Sequence, residues 1–145
     1  MEALHQLILK KIDNRIDLEK AWALRKQVFV IEQNCPEELE WEFEEESVHF
    51  MALINNQVVG TARWRKTEKG IKLERFAVDA NFRGKGIATA LIQAVLADLP
   101  NQNGDVYLHA QIQAAGLYKK NGFVEYGEHF DEAGIEHVKM VYRPV

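Results

Sequence analysis

From Leu73 the chain reads Leu-Glu-Arg-Phe-Ala-Val-Asp-Ala-Asn-Phe-Arg-Gly-Lys-Gly-Ile-Ala, passing from a strand-like run into a helix through two glycines. Gly84 and Gly86 have no Cβ, so another molecule can approach the backbone closely there. The first amides of the helix that follows have no intrahelical acceptor, and they sit at the positive end of its dipole. These features make an anion site best suited to phosphate, to which Arg83 and Lys85 add charge. A plain turn between strand and helix needs glycine too, so the loop alone leaves both readings open. It matches neither common phosphate fingerprint: no third glycine follows at the dinucleotide-binding spacing, and no Gly-Lys-Ser/Thr ending marks a nucleotide loop.

The elements that must position this loop can be read outward from it. Residues 84–99 carry apolar side chains at 87, 91 and 95 and at 88, 92, 96 and 99, two adjacent rows that form one broad buried stripe, and Pro100 closes the helix. Upstream, residues 48–54, 58–66 and 71–78 read as strands. Their separators, Asn55-Asn56 and Thr67-Glu68-Lys69-Gly70, tolerate positive φ and predict an antiparallel meander. Residues 4–12 suit a first strand, and Asp17 is placed to cap a helix bearing Leu18, Ala21, Trp22, Leu24, Val28 and Phe29. After the glycine-loop helix come a strand at 106–110, a short helix at 113–120 stopped by Asn121-Gly122, and closing strands at 123–126 and 136–142. The order is mixed α/β with an antiparallel bias. No repeat or linker divides it, which predicts one domain over residues 1–145.

Composition narrows the function. With 145 residues, 47% hydrophobic and 28% charged, the chain can bury a self-sufficient core without metal or disulfide. The single cysteine, Cys35, cannot form an internal disulfide, and a cytoplasmic location is expected. No basic region followed by a long apolar run begins the chain, and no window reaches the ~18 apolar residues of a membrane helix. The net charge of −4, without a lysine or arginine stripe, argues against nucleic acid and suits small amine-bearing partners. Residues 35–47 are crowded with glutamates, at 37, 38, 40, 42, 44, 45 and 46, interleaved with Leu39, Trp41 and Phe43. This run is either a solvated face or an acidic lip beside an acceptor pocket. His49, His129 and His137 fit no standard zinc spacing, so no metal is expected.

Arg83-Gly84-Lys85-Gly86-Ile87-Ala88 resembles the Arg/Gln-x-x-Gly-x-Gly/Ala signature of the GNAT superfamily of acyl-CoA-dependent N-acyltransferases, with Arg83, Gly86 and Ala88 at the specified positions. Ala77-Val78 before it, and Ala115-Gly116-Leu117-Tyr118-Lys119-Lys120-Asn121-Gly122-Phe123 after it, are similar to that family's fourth strand and its late stretch ending Tyr-x-x-x-Gly-Phe. The resemblance covers nearly the whole chain. Residues 24–36 and Glu38-Leu39-Glu40 further resemble the ElaA/YjcF-like bacterial branch. It implies a central, mostly antiparallel sheet of six to seven strands, splayed between strands 4 and 5, with about four helices. It also implies acetyl-CoA as cosubstrate. The pyrophosphate is then expected on the amides from Arg83 through Gly84, Lys85, Gly86 and Ile87 to Ala88, and the pantetheine arm along the backbone of Phe76, Ala77 and Val78. A homodimer is possible, as in many relatives.

Acetyl transfer needs a neutral amine, donors for the oxyanion, and a proton for the departing thiolate. Tyr118 sits where the family often places its general acid, and a phenol keeps its proton at neutral pH. A core tyrosine is the competing reading. His109 lies at the end of the presumed fifth strand, where several family members carry a base, and an imidazole can accept an ammonium proton. Glu74 is the rival base and would need its pKa raised by burial; Arg75 beside it is expected on the opposite face by strand alternation. Bulk water is the third option. The functions open at this point are amine acetylation, a non-catalytic acyl-CoA sensor, and a protein-interaction domain using the glutamate-rich segment.

Overall fold

The computed structural model describes residues 6–101 and 104–144, so Leu4 and His5 of the expected first strand lie outside the described residues. Seven strands form one sheet: β1 (Leu7–Lys11), β2 (Val48–Ile54), β3 (Gln57–Thr67), β4 (Gly70–Val78), β5 (Asp105–Gln111), β6 (Phe123–Glu132) and β7 (Ile135–Tyr142). Their spatial order is β1-β2-β3-β4-β5-β7-β6. Every neighbouring pair is antiparallel except β4 and β5, which run parallel. The helices are α1 (Arg15–Arg25), the four-residue α2 (Glu37–Glu40), α3 (Ile87–Asp98) and α4 (Ala115–Lys120). This is the mixed fold that the resemblance implies.

Short links between β2, β3 and β4 force the meander, and Asn55 and Asn56 take φ of 51° and 64° in the first of them. A parallel step from β4 to β5 cannot be made by a tight turn, and α3 supplies the crossover. Its buried stripe of Ile87, Leu91, Ile92 and Val95 packs with Trp64, Leu73, Leu108 and Met140 as the main core on one face of the sheet. On the other face, Leu24, Val28, Phe29 and Cys35 gather over Ala77 in a smaller cluster. Among the described residues no helix is long and apolar enough to cross a membrane.

Three local expectations are corrected. The cap of α1 is Asn14, whose side chain accepts from the Asp17 amide at 2.8 Å. Asp17 falls in the first turn instead, ion-paired with Lys10 at 2.6 Å, because β1 ends at Lys11 and Asn14 is already free to cap. Past Arg25 the helix widens into a π-helical stretch, Lys26–Glu32. Finally, β6 runs to Glu132 rather than ending at Tyr126, through a register shift between Tyr126 and Phe130 that breaks the alternation a sequence reader follows.

Candidate active site

β4 and β5 pair only from Gly70 with Asp105 to Leu73 with Leu108. Beyond that point β5 continues beside β7 while β4 bends away, and a pocket of about 660 Å³ opens in the gap. Phe76, Ala77 and Val78 line it from β4, His109 and Gln111 from β5, and Tyr118 from α4.

A bulge aims the β4 wall. Arg63 pairs with Glu74 and Thr61 with Ala77, so Ala62 opposes two residues, and the extra one, Arg75, sits at φ 60°. The insertion reverses the alternation that follows it. Phe76 consequently meets Tyr118 edge-on at 5.9 Å on the main-core side, while Ala77 joins the α1 side. Arg75 therefore does not occupy the face opposite Glu74: its guanidinium lies over the Phe29 ring at 5.1 Å, on the α1 side.

At the far end of the pocket, Arg83 and Ala88 lead into the glycine loop. Gly84 and Gly86 adopt φ of 79° and 82°, and no atom lies within 4 Å of where a Cβ would stand. Ala90 makes the first intrahelical bond back to Gly86 at 3.1 Å, which leaves the amides of Ile87, Ala88 and Thr89 without an acceptor inside the helix. Arg83 is turned onto the protein: Nε donates to the Val78 carbonyl at 2.9 Å and Nη2 pairs with Glu32 at 3.1 Å. It fastens the loop to β4 and the π-helical stretch while staying exposed, and Lys85 is a second exposed cation of the loop.

The three candidate acid and base residues have different surroundings. Tyr118 is 8% exposed, packed edge-on against Phe76 and Phe123, and its hydroxyl has no hydrogen-bond partner among the described residues. Burial pushes the phenol pKa up, so it holds its proton. His109 Nδ1 lies 2.9 Å from Glu132 Oε1, with Phe130 edge-on at 5.0 Å. That hydrogen bond is the main reason the Glu132 carboxyl is held below the usual range. With Nδ1–H donated to Glu132, Nε2 is the nitrogen left to accept a proton. Sequence reasoning saw Glu132 only as a neighbour of the tail histidines and missed its pairing with His109, because β6 was expected to end six residues earlier.

Glu74 departs from expectation. Burial works to raise its pKa, but Arg63, Lys72 and Arg65 overcome that and hold it at about 2. Its Oε1 accepts from Arg63 Nε at 3.1 Å and Arg65 Nε at 2.7 Å, and Lys72 Nζ stands 3.4 Å from Oε2. The raised pKa that a carboxylate base requires is therefore not produced here, because three cations surround the group.

The glutamate-rich segment is likewise not a continuous acidic lip. Glu42 and Phe43 line the pocket, whereas Trp41 packs edge-on against Trp22 at 5.8 Å. Glu44 points inward and accepts from Trp22 Nε1 at 2.7 Å, from Arg25 at 2.7 and 2.9 Å, and from Arg63 Nη1 at 2.9 Å. Both arginine side chains are 2% exposed. Among the described residues no group of three histidine, cysteine, aspartate or glutamate side chains is arranged to hold a metal ion.

The family model for the acetyltransferase (GNAT) domain matches residues 12–144. The chain is 36% identical over 131 residues to the N-acetyltransferase YjcF of Bacillus subtilis, across 88% of this chain and 94% of that protein. Among solved structures, Escherichia coli ElaA superposes with a TM-score of 0.80 at 24% identity, covering 94% of this chain and 99% of that one. An acyl-CoA N-acyltransferase from Pseudomonas aeruginosa does so with a TM-score of 0.80 at 27% identity, over 94% and 97%.

Proposed function

Since the chain belongs to the GNAT acetyltransferase family, with YjcF as a relative and ElaA as a structural likeness, we propose that it moves an acetyl group from acetyl-CoA directly to a primary amine, both bound at once in the pocket between β4 and β5. The pyrophosphate is assigned to the amides from Arg83 to Ala88, and the pantetheine arm to the unpaired edge of β4 at Phe76, Ala77 and Val78. The amine nitrogen attacks the thioester carbonyl carbon, the C–S bond breaks, and Tyr118 gives its proton to the departing sulfur. The proton lost by nitrogen passes to His109 Nε2, with Glu132 fixing the ring through Nδ1. One proton leaves nitrogen and one reaches sulfur, so amide and free thiol form in equal amounts. Glu74 is assigned to holding Arg63, Arg65 and Lys72 in place, since a carboxylate of pKa about 2 is a poor base near neutrality.

The observation that carries this reading is that one pocket reaches from Arg83 and Ala88, at the start of α3 where the first amides lack a helical acceptor, to Tyr118, whose hydroxyl has no partner among the described residues. Thiol release from acetyl-CoA, followed against a library of primary amines, tests it. The expected result is amine-dependent release that Tyr118→Phe lowers about a hundredfold. Coenzyme binding without release by any amine would favour a sensor and overturn the transfer reading.

A further inference from the structure

In a sheet, ladder hydrogen bonds fix how far apart two strands stand. Between β4 and β5 those bonds stop at Leu73 and Leu108, so residues 74–78 and 109–111 must have their separation set by something else. Two successive residues at the end of the π-helical stretch span the gap. Glu32 pairs with Arg83 Nη2 at 3.1 Å, and Arg83 Nε donates to the carbonyl of Val78, the last residue of β4, at 2.9 Å. Gln33 Oε1 accepts from Nε2 of Gln111, the last residue of β5, at 2.9 Å. One short segment is thus fastened to the end of each parted strand.

The two ties differ in strength. The Arg83–Glu32 pair is exposed, and such pairs contribute little. Gln33 and Gln111 are half-buried and line the pocket, where water competes less for their hydrogen bond. Gln111 is held from its other side as well, because its Oε1 accepts from Gln113 Nε2 at 2.9 Å. The backbone beside Gln33 is fixed too: Asn34 turns at φ 57°, and the Cys35 amide donates to the Phe29 carbonyl at 2.8 Å. Both partners of the bond are therefore set in place before any ligand arrives.

We infer that Gln33 and Gln111 are positioning residues for the coenzyme: their side-chain hydrogen bond sets the width of the gap between the ends of β4 and β5, and with it the fit of the pantetheine arm. This role rests on the arm's placement proposed above and adds what holds that placement open to the right width. The amides assigned to the diphosphate belong to the loop and α3. A ligand that has the diphosphate but no arm is consequently insensitive to the Gln33–Gln111 bond.

The test compares CoA with 3′-phospho-ADP, the same nucleotide without the arm. Calorimetry gives both dissociation constants for the native chain, Gln33→Ala, Gln111→Ala and the double variant, and hydrogen exchange follows residues 74–78 in the ligand-free proteins. The expected result is that each substitution weakens CoA about fivefold, the scale of one neutral hydrogen bond, and changes 3′-phospho-ADP by less than about twofold. The double variant should bind CoA no more weakly than either single one, since all three lack the same bond, and exchange over residues 74–78 should quicken in all three. Unchanged CoA affinity would overturn the inference and make the pair an anchor of the π-helical stretch only. Equal weakening of both ligands, or unchanged exchange, would overturn it as well. If the native protein binds neither ligand, the coenzyme reading falls, and exchange alone decides whether the bond braces the gap: faster exchange upholds the brace and unchanged exchange removes it.

Discussion

The two ends of the pocket are built from different materials. At the end assigned above to the coenzyme, the proposed working groups are backbone amides and an unpaired strand edge within the run Phe76 to Ala88, and the glycines there stand exposed with open space around them. At the end assigned to the acceptor, side chains from α1, the segment after α2, β3 and β4 are locked in charged hydrogen bonds and nearly buried, while the His109–Glu132 pair from β5 and β6 is more exposed. The first end can recognise a ligand whatever side chains surround it. The second depends on every member of a network, and folding stability is invested in it. Substitutions should therefore separate: those at the acceptor end act first on stability, and those at the coenzyme end act first on binding.

The sharpest way to break this contrast is Glu44→Ala. It leaves Arg25 and Arg63 buried with one carboxylate fewer, and losing one partner of a buried ion pair costs about 3–5 kcal/mol. Denaturant unfolding measures this, and a loss under about 1 kcal/mol, the scale of an exposed pair, would mean that the network is no more than a surface feature. Acid attacks the same network. The folded protein keeps Glu74 ionised to a pH of about 2, more than two pH units below its ordinary value, so its stabilisation is complete above pH ~4.5 and disappears as pH falls toward 2, a loss of about 3 kcal/mol. His49, whose pKa burial lowers from 6.5, acts in the same direction and begins the decline at higher pH. Stability that stays flat from pH 6 to pH 3 would contradict the assigned roles of both groups.

Tyr118→Phe is the intermediate case, because the hydroxyl is the proposed acid and the ring belongs to the core. With no hydrogen bond to lose and the packing against Phe76 and Phe123 preserved, unfolding should change by less than about 1 kcal/mol, while kcat falls about a hundredfold. A change in stability with kcat intact would make Tyr118 a core residue only.

What could be read in the sequence follows the same division. The glycine loop, α3 and the meander are local patterns, and a helical stripe or an Asn-Asn turn carries its own evidence within a few residues. The ionic network carries none. Glu44 lies among six other glutamates in residues 37–46, and only the topology that sets β3 against β4 and lays α1 across them shows that this one faces inward. Glu74 was legible as a carboxylate beside the site, yet its environment depended on Arg63 and Arg65, eleven and nine residues away in sequence. The β4 bulge was hidden for a similar reason: a reader who assumes strict alternation places Phe76 and Arg75 on the wrong faces.

The smallest effect on stability, and the one that most directly probes the coenzyme end, comes from Gly86→Ala. At φ 82° an added methyl costs about 1 kcal/mol of backbone strain and meets no protein atom, so the fold should survive with a small drop in Tm. The methyl would, however, occupy open space beside the first amides of α3, where the proposed diphosphate must come close to the backbone. The KM for acetyl-CoA should then rise, by about tenfold for each 1.4 kcal/mol of lost contact, while the KM for the acceptor stays nearly constant. Equal increases in both constants would mean that the substitution distorts the whole pocket, and the two ends would then not be the separable devices that their construction implies.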